Sequence, residues 1–273
     1  GREWFWAVAS GTLLALSLRG GGMAEGFIRA TGVFAAGTFV ALSVWSERAL
    51  FRRAAVAAGV GLLVAVTLSS LLGAGWSAVE RELERALREA FLAQARLAEA
   101  SGFGAGVTEA LREMGRGAGD TAAFYPALLA LMAIAGAVLG WRWFRLIVQR
   151  PGGAPDVPFS EFRFSDQAVW IVVAALAATL FLPEESVPVL GAPLAAWARN
   201  LLAVMVALYV ARGLAIFAAT ARRVPRRIVT VLALVGVLLW PFAAGGLLML
   251  GLADSWVDFR RRLASPPTGG MER

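Results

Sequence analysis

A chain of 273 residues that is 59% hydrophobic and 16% charged, with a mean hydropathy of +0.68, has the composition of a membrane protein; water-soluble domains carry about a quarter charged residues. It has no Cys and no His, and its 26 basic residues are all Arg, which excludes disulfides, thiolate nucleophiles, Cys-ligated metals and the usual imidazole base. The net charge of +7 reads as cytoplasmic arginine bias beside anionic headgroups, not as nucleic-acid binding.

The first hydrophobic stretch, 4–18, lies between Arg2 and Arg19 and has no small-residue cleavage site after it, so it reads as a short helix and not as a signal peptide. A second hydrophobic helix is expected at about 27–45, with Arg29 near its outer end. A basic turn from Glu47 to Arg53 leads to a third span at 54–74.

The character changes at 76–118, which is rich in charge of both signs. Ser77 followed by Glu80 matches a capping box. Val79, Leu83, Leu87, Phe91 and Ala95 recur at helical spacing. The other face offers Glu84–Arg88 and Glu82–Arg85, helix-spaced pairs worth a few tenths of a kcal/mol each. The insert therefore reads as an amphipathic helix, broken at Gly102–Gly106, with a shorter helix at 107–115. Such a helix rests on lipid or forms a lid or docking surface.

A fourth span at 122–140 ends in Trp141-Arg142-Trp143-Phe144-Arg145, an aromatic and basic interface anchor. The Pro- and Gly-rich stretch 150–158 is a loop. Phe159, Phe162 and Phe164 lead into a fifth span at 167–182, and an acidic turn at Pro183-Glu184-Glu185 precedes a sixth at 194–217.

The last run, 226–262, opens on Arg226-Arg227 and closes on Arg260-Arg261-Arg262. One span needs roughly 20 apolar residues, so this run is too long for one helix and short for two. Arginine clusters at both ends favour a return to the same side. A hairpin is expected, 228–240 and 243–257, turned at Trp240-Pro241 and Gly245-Gly246. The turns that this layout puts inside hold 14 Arg and five acidic residues; the segments put outside hold six and ten. The expectation is an all-α, polytopic fold of about eight hydrophobic segments, one transmembrane domain over 1–273 with both termini cytoplasmic, and an extracytoplasmic helical insert at 76–118.

Ionisable residues within spans are the default functional candidates. Arg29, Arg199, Asn200 and Arg212 are the candidate ligand or lipid contacts. Arg199 and Arg212 are 13 residues apart on one helix, about 20 Å, so they serve different ends of it, and an Arg near a helix end can snorkel to the headgroups. No acid is placed in mid-membrane; Asp254, at the inner end of the last helix, is expected to pair with Arg260 or cap a neighbour. Gly136 with Gly140, and Gly22 with Gly26, match the small-residue packing pattern. Phosphate loop, dinucleotide fingerprint, metal-ligand spacing and nucleophile elbow are all missing from the sequence, so no catalytic residue, cofactor or metal is assigned.

The segment from Gly251 through Asp254 to Arg260, GLADSWVDFR, resembles the closing signature of the YybS-like family of bacterial membrane proteins. Leu208 to Ala215 resembles its sixth-span pattern, with Arg212 where Gln is more usual, and Phe159 to Trp170 resembles the loop before its fifth. The resemblance runs from about residue 30 onward, is best over 140–262, and marks Gly213, Gly251, Asp254 and Arg260 as signature residues. It implies a bacterial inner-membrane protein of unknown function, similar in fold to the S components of energy-coupling-factor transporters, which bind small molecules near the outer face. Two functions follow as expectations. One is a non-enzymatic accessory or scaffold subunit with a membrane-protein partner and anionic lipid at its Arg clusters. The other is an S-component-like protein whose outward pocket draws on Arg19, Glu25, Arg29, Arg199 and Asn200.

Overall fold

The structure is a computed structural model that describes residues 21–46, 49–73, 75–148, 158–181, 191–222 and 224–257. All regular elements among them are helical. The first hydrophobic segment, the loop at 150–157, the acidic turn at 183–185 and Arg260–Arg262 lie outside the described residues. The chain divides into two compact units, Gly1–Ala154 and Pro155–Arg273.

The first unit contains α1 (Met23–Trp45), α2 (Leu50–Leu71), α3 (Trp76–Ala100), α4 (Ala105–Arg116), α5 (Ala118–Ala123) and α6 (Tyr125–Ile147). At 1.5 Å per residue, α1, α2 and α6 are each long enough to cross a bilayer, and their composition permits it. The expected basic turn is shorter than its sequence suggests, because α2 starts at Leu50 and takes Arg52 and Arg53 into its first turn. The aromatic and basic anchor after the fourth span is likewise helical, forming the last turns of α6.

In the insert, the apolar stripe faces the body of its own unit. Val79 and Leu83 are buried against Phe27, Ala30, Ala65 and Leu129, and Trp76 packs on Phe27 with ring centroids 5.3 Å apart. Burial of each large apolar side chain is worth about 1.5–3 kcal/mol. A second cluster joins Phe39, Ala54, Ala57, Ala58 and Ile134, with Trp141 against it. The Glu84–Arg88 pair forms at 2.7 Å. The capping box does not: α3 begins at Trp76 behind Gly75, so Ser77 is already inside the helix and makes no cap. Nor does Glu82 serve Arg85. Its carboxylate accepts from the backbone N–H of Ala24 at 3.3 Å, tying α3 to the start of α1, while Arg85 Nε donates to the Arg81 carbonyl.

The second unit has two single-turn 3-10 helices, Phe159–Glu161 and Asp166–Ala168, then α7 (Val169–Phe181), α8 (Gly191–Ala221), α9 (Arg226–Leu238) and α10 (Trp240–Val257). Among its described residues only α8 is a full-length span by itself, counted over Leu194–Ala221. The 13 residues of α7 reach about 20 Å, short of the roughly 30 Å hydrocarbon core. Helices α9 and α10 bend by 112°. The bend falls at Leu239, beside the expected Trp240-Pro241 turn. Pro241 sits in the first turn of α10, where its missing N–H has no partner to lose. Gly245 and Gly246 take no part in the turn; both are within α10, with open space where a side chain would go. Among the described residues the chain thus offers four apolar spans, or five if the bent pair counts as one.

Candidate functional site

The only deep charge cluster described within the second unit is built on α8 and α10. Along α8 the sequence sets Tyr209, Arg212 and Gly213 on one stretch; along α10 it sets Gly251, Asp254 and Ser255. The two glycines make the contact. A Cβ on Gly213 would fall inside contact distance of the Leu247 carbonyl, and one on Gly251 would collide with the Tyr209 carbonyl. Small residues allow helix backbones to approach this closely, and that approach brings Arg212 and Asp254 together. Gly213, Gly251 and Asp254, marked by the family resemblance, thus converge on one place.

Arg212 is fully buried and Asp254 is 1% exposed. Arg212 Nε donates to Asp254 Oδ2 at 2.9 Å, and Nη2 lies 2.9 Å from the same oxygen. Nη2 also donates to Asp166 Oδ1 at 2.7 Å. Asp166, at the 3-10 turn before α7, accepts in addition from Arg163 at 2.9 Å. The guanidinium carbon of Arg212 stands 5.4 Å from the Phe164 ring centroid. Phe164 meets Tyr209 edge-on at 5.0 Å and continues an aromatic row through Phe162 to Phe159. The run of three aromatics that leads into the fifth span is therefore, at its last member, the wall of an ion-pair site.

The electrostatics follow from this geometry. Arginine remains charged in proteins, and a lone charge inside the membrane is costly; two carboxylates offset it here. Partial burial by itself would raise the pKa of Asp166. The hydrogen bonds and charges of Arg212 and Arg163 outweigh that and hold its carboxyl below the usual carboxylate range. Arg212 Nη1, Tyr209 Oη and Ser255 Oγ are buried and have no hydrogen-bond partner.

Each sequence candidate can now be placed. Arg212 does not snorkel to headgroups, because two carboxylates within its own unit hold it inside. Asp254 pairs with Arg212, and its expected partner Arg260 is outside the described residues. Asp254 is therefore buried near the C-terminal end of α10, with a partner on α8 that the sequence reading does not name. Arg199 is exposed on α8, about 20 Å along the axis from Arg212. Asn200 is buried and donates to the Ala196 carbonyl of its own helix at 2.9 Å. Arg29 pairs with Glu25 at the start of α1, in the other unit. A cleft of about 330 Å³ between α1 and α3, beneath the insert, includes Glu25, Glu82 and Tyr125. The sequence signal for the main pair was present: one Arg well inside α8, one Asp inside α10, and a glycine on each helix. The described residues contain no cluster of three or more Asp or Glu that could hold a metal.

A family model described as "Predicted membrane protein (DUF2232)" matches residues 7–255, nearly the whole chain. No curated protein and no solved structure matches it. The chain belongs to the DUF2232 family of predicted membrane proteins and is a multi-pass membrane protein with helical spans.

Proposed function

We propose that this member of the DUF2232 family is a non-enzymatic accessory or scaffold subunit of a larger assembly in the bacterial inner membrane, with both termini cytoplasmic. The observation that carries this reading is α9. It is an apolar helix of 13 residues opening on Arg226-Arg227, none of its residues is buried, and it turns away from α10 by 112°. At about 20 Å it is too short to cross a membrane alone, and it leaves its circumference free for a neighbouring protein. The arginine distribution supports the orientation.

The test is a photo-crosslinking residue placed at Val231 or Leu234 of α9, with Leu63 on α2 as an equally lipid-exposed control. The same discrete protein adduct from both α9 positions, and none from Leu63, is expected. Equal crosslinking from all three positions, or none, contradicts the proposal. Orientation is read separately: Ser101→Cys should label from outside intact spheroplasts and Arg222→Cys should not, both positions being exposed.

A second reading, small-molecule binding beside Asp254 and not in the outward pocket expected of an S component, is supported by the three buried polar atoms on Tyr209, Arg212 and Ser255 that lack partners. A small anion could satisfy the first two. A carboxylated compound that raises the melting temperature of the protein, but not that of Tyr209→Phe, would favour ligand binding.

A further inference from the structure

Among the described residues the first unit carries a buried arginine with no acid partner, and the second does not. Arg53, in the first turn of α2, is 2% exposed. Its guanidinium carbon lies 4.9 Å from the centroid of the Trp141 ring. Its Nε has no hydrogen-bond partner, and no carboxylate pairs with it among the described residues. An aromatic face offsets part of the cost of burying a cation; an anion is needed for the rest.

Trp141, the ring on which Arg53 stacks, also lines a half-open groove of about 650 Å³ between α1 and α6, whose walls include Gly32, Ala36 and Ser43 on one side and Gly136 and Gly140 on the other; Arg53 stands behind Trp141 and is not itself part of the wall. Its lining is almost wholly apolar. Along α1 it runs from Gly32 to Val44, about 18 Å at 1.5 Å per residue, close to the roughly 15 Å of hydrocarbon in one leaflet. It ends where α1 finishes, α2 begins and α6 carries Arg142 and Arg145, so this mouth is basic, whereas at the other end Arg29 is balanced by Glu25. Ser43 lies at that end. Thr31, Ser69 and Thr220 each donate their hydroxyl to the carbonyl four residues earlier. Ser43 Oγ does not; it is buried and unpartnered.

We infer that this groove holds one acyl chain of an anionic phospholipid, its phosphate drawn to Arg53 and Ser43 at the mouth. Length, apolar walls and one-ended positive charge fit that occupant together. A transmembrane helix would match the small-residue walls but would bring no anion to Arg53. Anionic lipids are the abundant negative groups at a cytoplasmic membrane face, the side that the arginine distribution assigns to this end.

The test uses the full chain, delipidated in neutral detergent and titrated with phosphatidylglycerol or phosphatidylcholine under native mass spectrometry. One phosphatidylglycerol is expected to bind about ten-fold more tightly than phosphatidylcholine, whose choline cation offsets the phosphate charge beside the arginines. Arg53→Gln should remove that preference while leaving weak binding of both lipids. Gly136→Leu should abolish binding by filling the groove. A side chain there meets no atom within 4 Å, so the fold should persist, checked by helical circular dichroism; Gly140→Leu, equally open, is the second variant. Retention of lipid by both leucine variants overturns the proposal. So does displacement of lipid by millimolar inorganic phosphate, which would identify a free-anion site. A protein adduct from Gly140→Cys in place of lipid would also overturn it, as the mark of a helix in the groove.

Discussion

Among the described residues Arg53 and Arg212 are the two arginines buried to 2% or less, one in each unit. Each lies against an aromatic ring, Trp141 for Arg53 and Phe164 for Arg212. They differ in counter-charge. Arg212 has Asp254 and Asp166 within hydrogen-bond distance; Arg53 has no acid partner among the described residues. A buried cation that finds its anion within its own unit acts as a pin between helices. One that does not leaves a charge to be met from outside. The packing around them differs in the same sense. The first unit closes on apolar side chains of α1, α2, α3 and α6, whereas α8 and α10 meet through backbone at Gly213 and Gly251.

The contrast is broken most directly at Asp254. Removal of one partner of a buried ion pair costs about 3–5 kcal/mol, so Asp254→Leu should destabilise the second unit by that amount in reversible unfolding from mixed micelles. Next comes apolar packing in the first unit: Leu83→Ala, at a side chain 3% exposed, should cost about 2–5 kcal/mol, read in the same assay. If it costs under about 0.5 kcal/mol, as at an ordinary surface position, α3 is not docked on α1.

The glycines sharpen the comparison at a smaller scale. Gly251→Ala forces α8 and α10 apart and should cost about 1–3 kcal/mol. The same change at Gly136, which faces open space, should instead stabilise by up to about 1 kcal/mol through helix propensity. Melting temperatures that shift in the same direction would refute the assigned helix contacts.

The smallest effect is pH-dependent. The pKa of Asp166 is lowered in the folded state, so its contribution is fully present above its unfolded value of about 4 and is lost as pH falls through the lower folded value. Asp166 is 42% exposed on its side chain, which limits the gain to about 1 kcal/mol or less. Wild type should exceed Asp166→Asn by a constant margin from pH 8 to pH 5, and the margin should shrink only below the ordinary carboxylate range. A margin that disappears near pH 6 would contradict the assignment.

Much of this architecture was legible from hydropathy. The spans at α1, α2, α6 and α8, and the insert helix with its buried stripe, follow from runs and periodicity in single segments. What was not legible depends on pairs of segments. Nothing local tells whether Arg212 reaches headgroups or another helix; that depends on Gly213 and Gly251 bringing α10 into reach. Glu82 reads as the partner of Arg85 because both share a helix face, yet the start of α1 presents a backbone donor at Ala24. Gly245-Gly246 looks like a turn by composition, but the proline at 241 opens a helix and puts the bend before it. Helix propensity and charge spacing describe one segment at a time; the corrections at Arg212 and Glu82 come from a second segment, and that at Gly245-Gly246 from the proline beside it.

The central claim, that Arg212 and Asp254 pin α8 to α10 as a pair, is tested most directly by a double-mutant cycle. Arg212→Met, Asp254→Leu and the double variant would each be unfolded reversibly in mixed micelles beside wild type. Arg212→Met should cost about 3–5 kcal/mol, because it leaves Asp254 buried and unpaired, and Asp254→Leu should fall at the lower end of that range, because Arg212 keeps Asp166. The double variant should cost about 2–3 kcal/mol less than the sum of the two singles, the coupling of a direct pair. A double variant whose cost equals the sum of the two singles would show that the two charges do not act on one another, and would contradict the account.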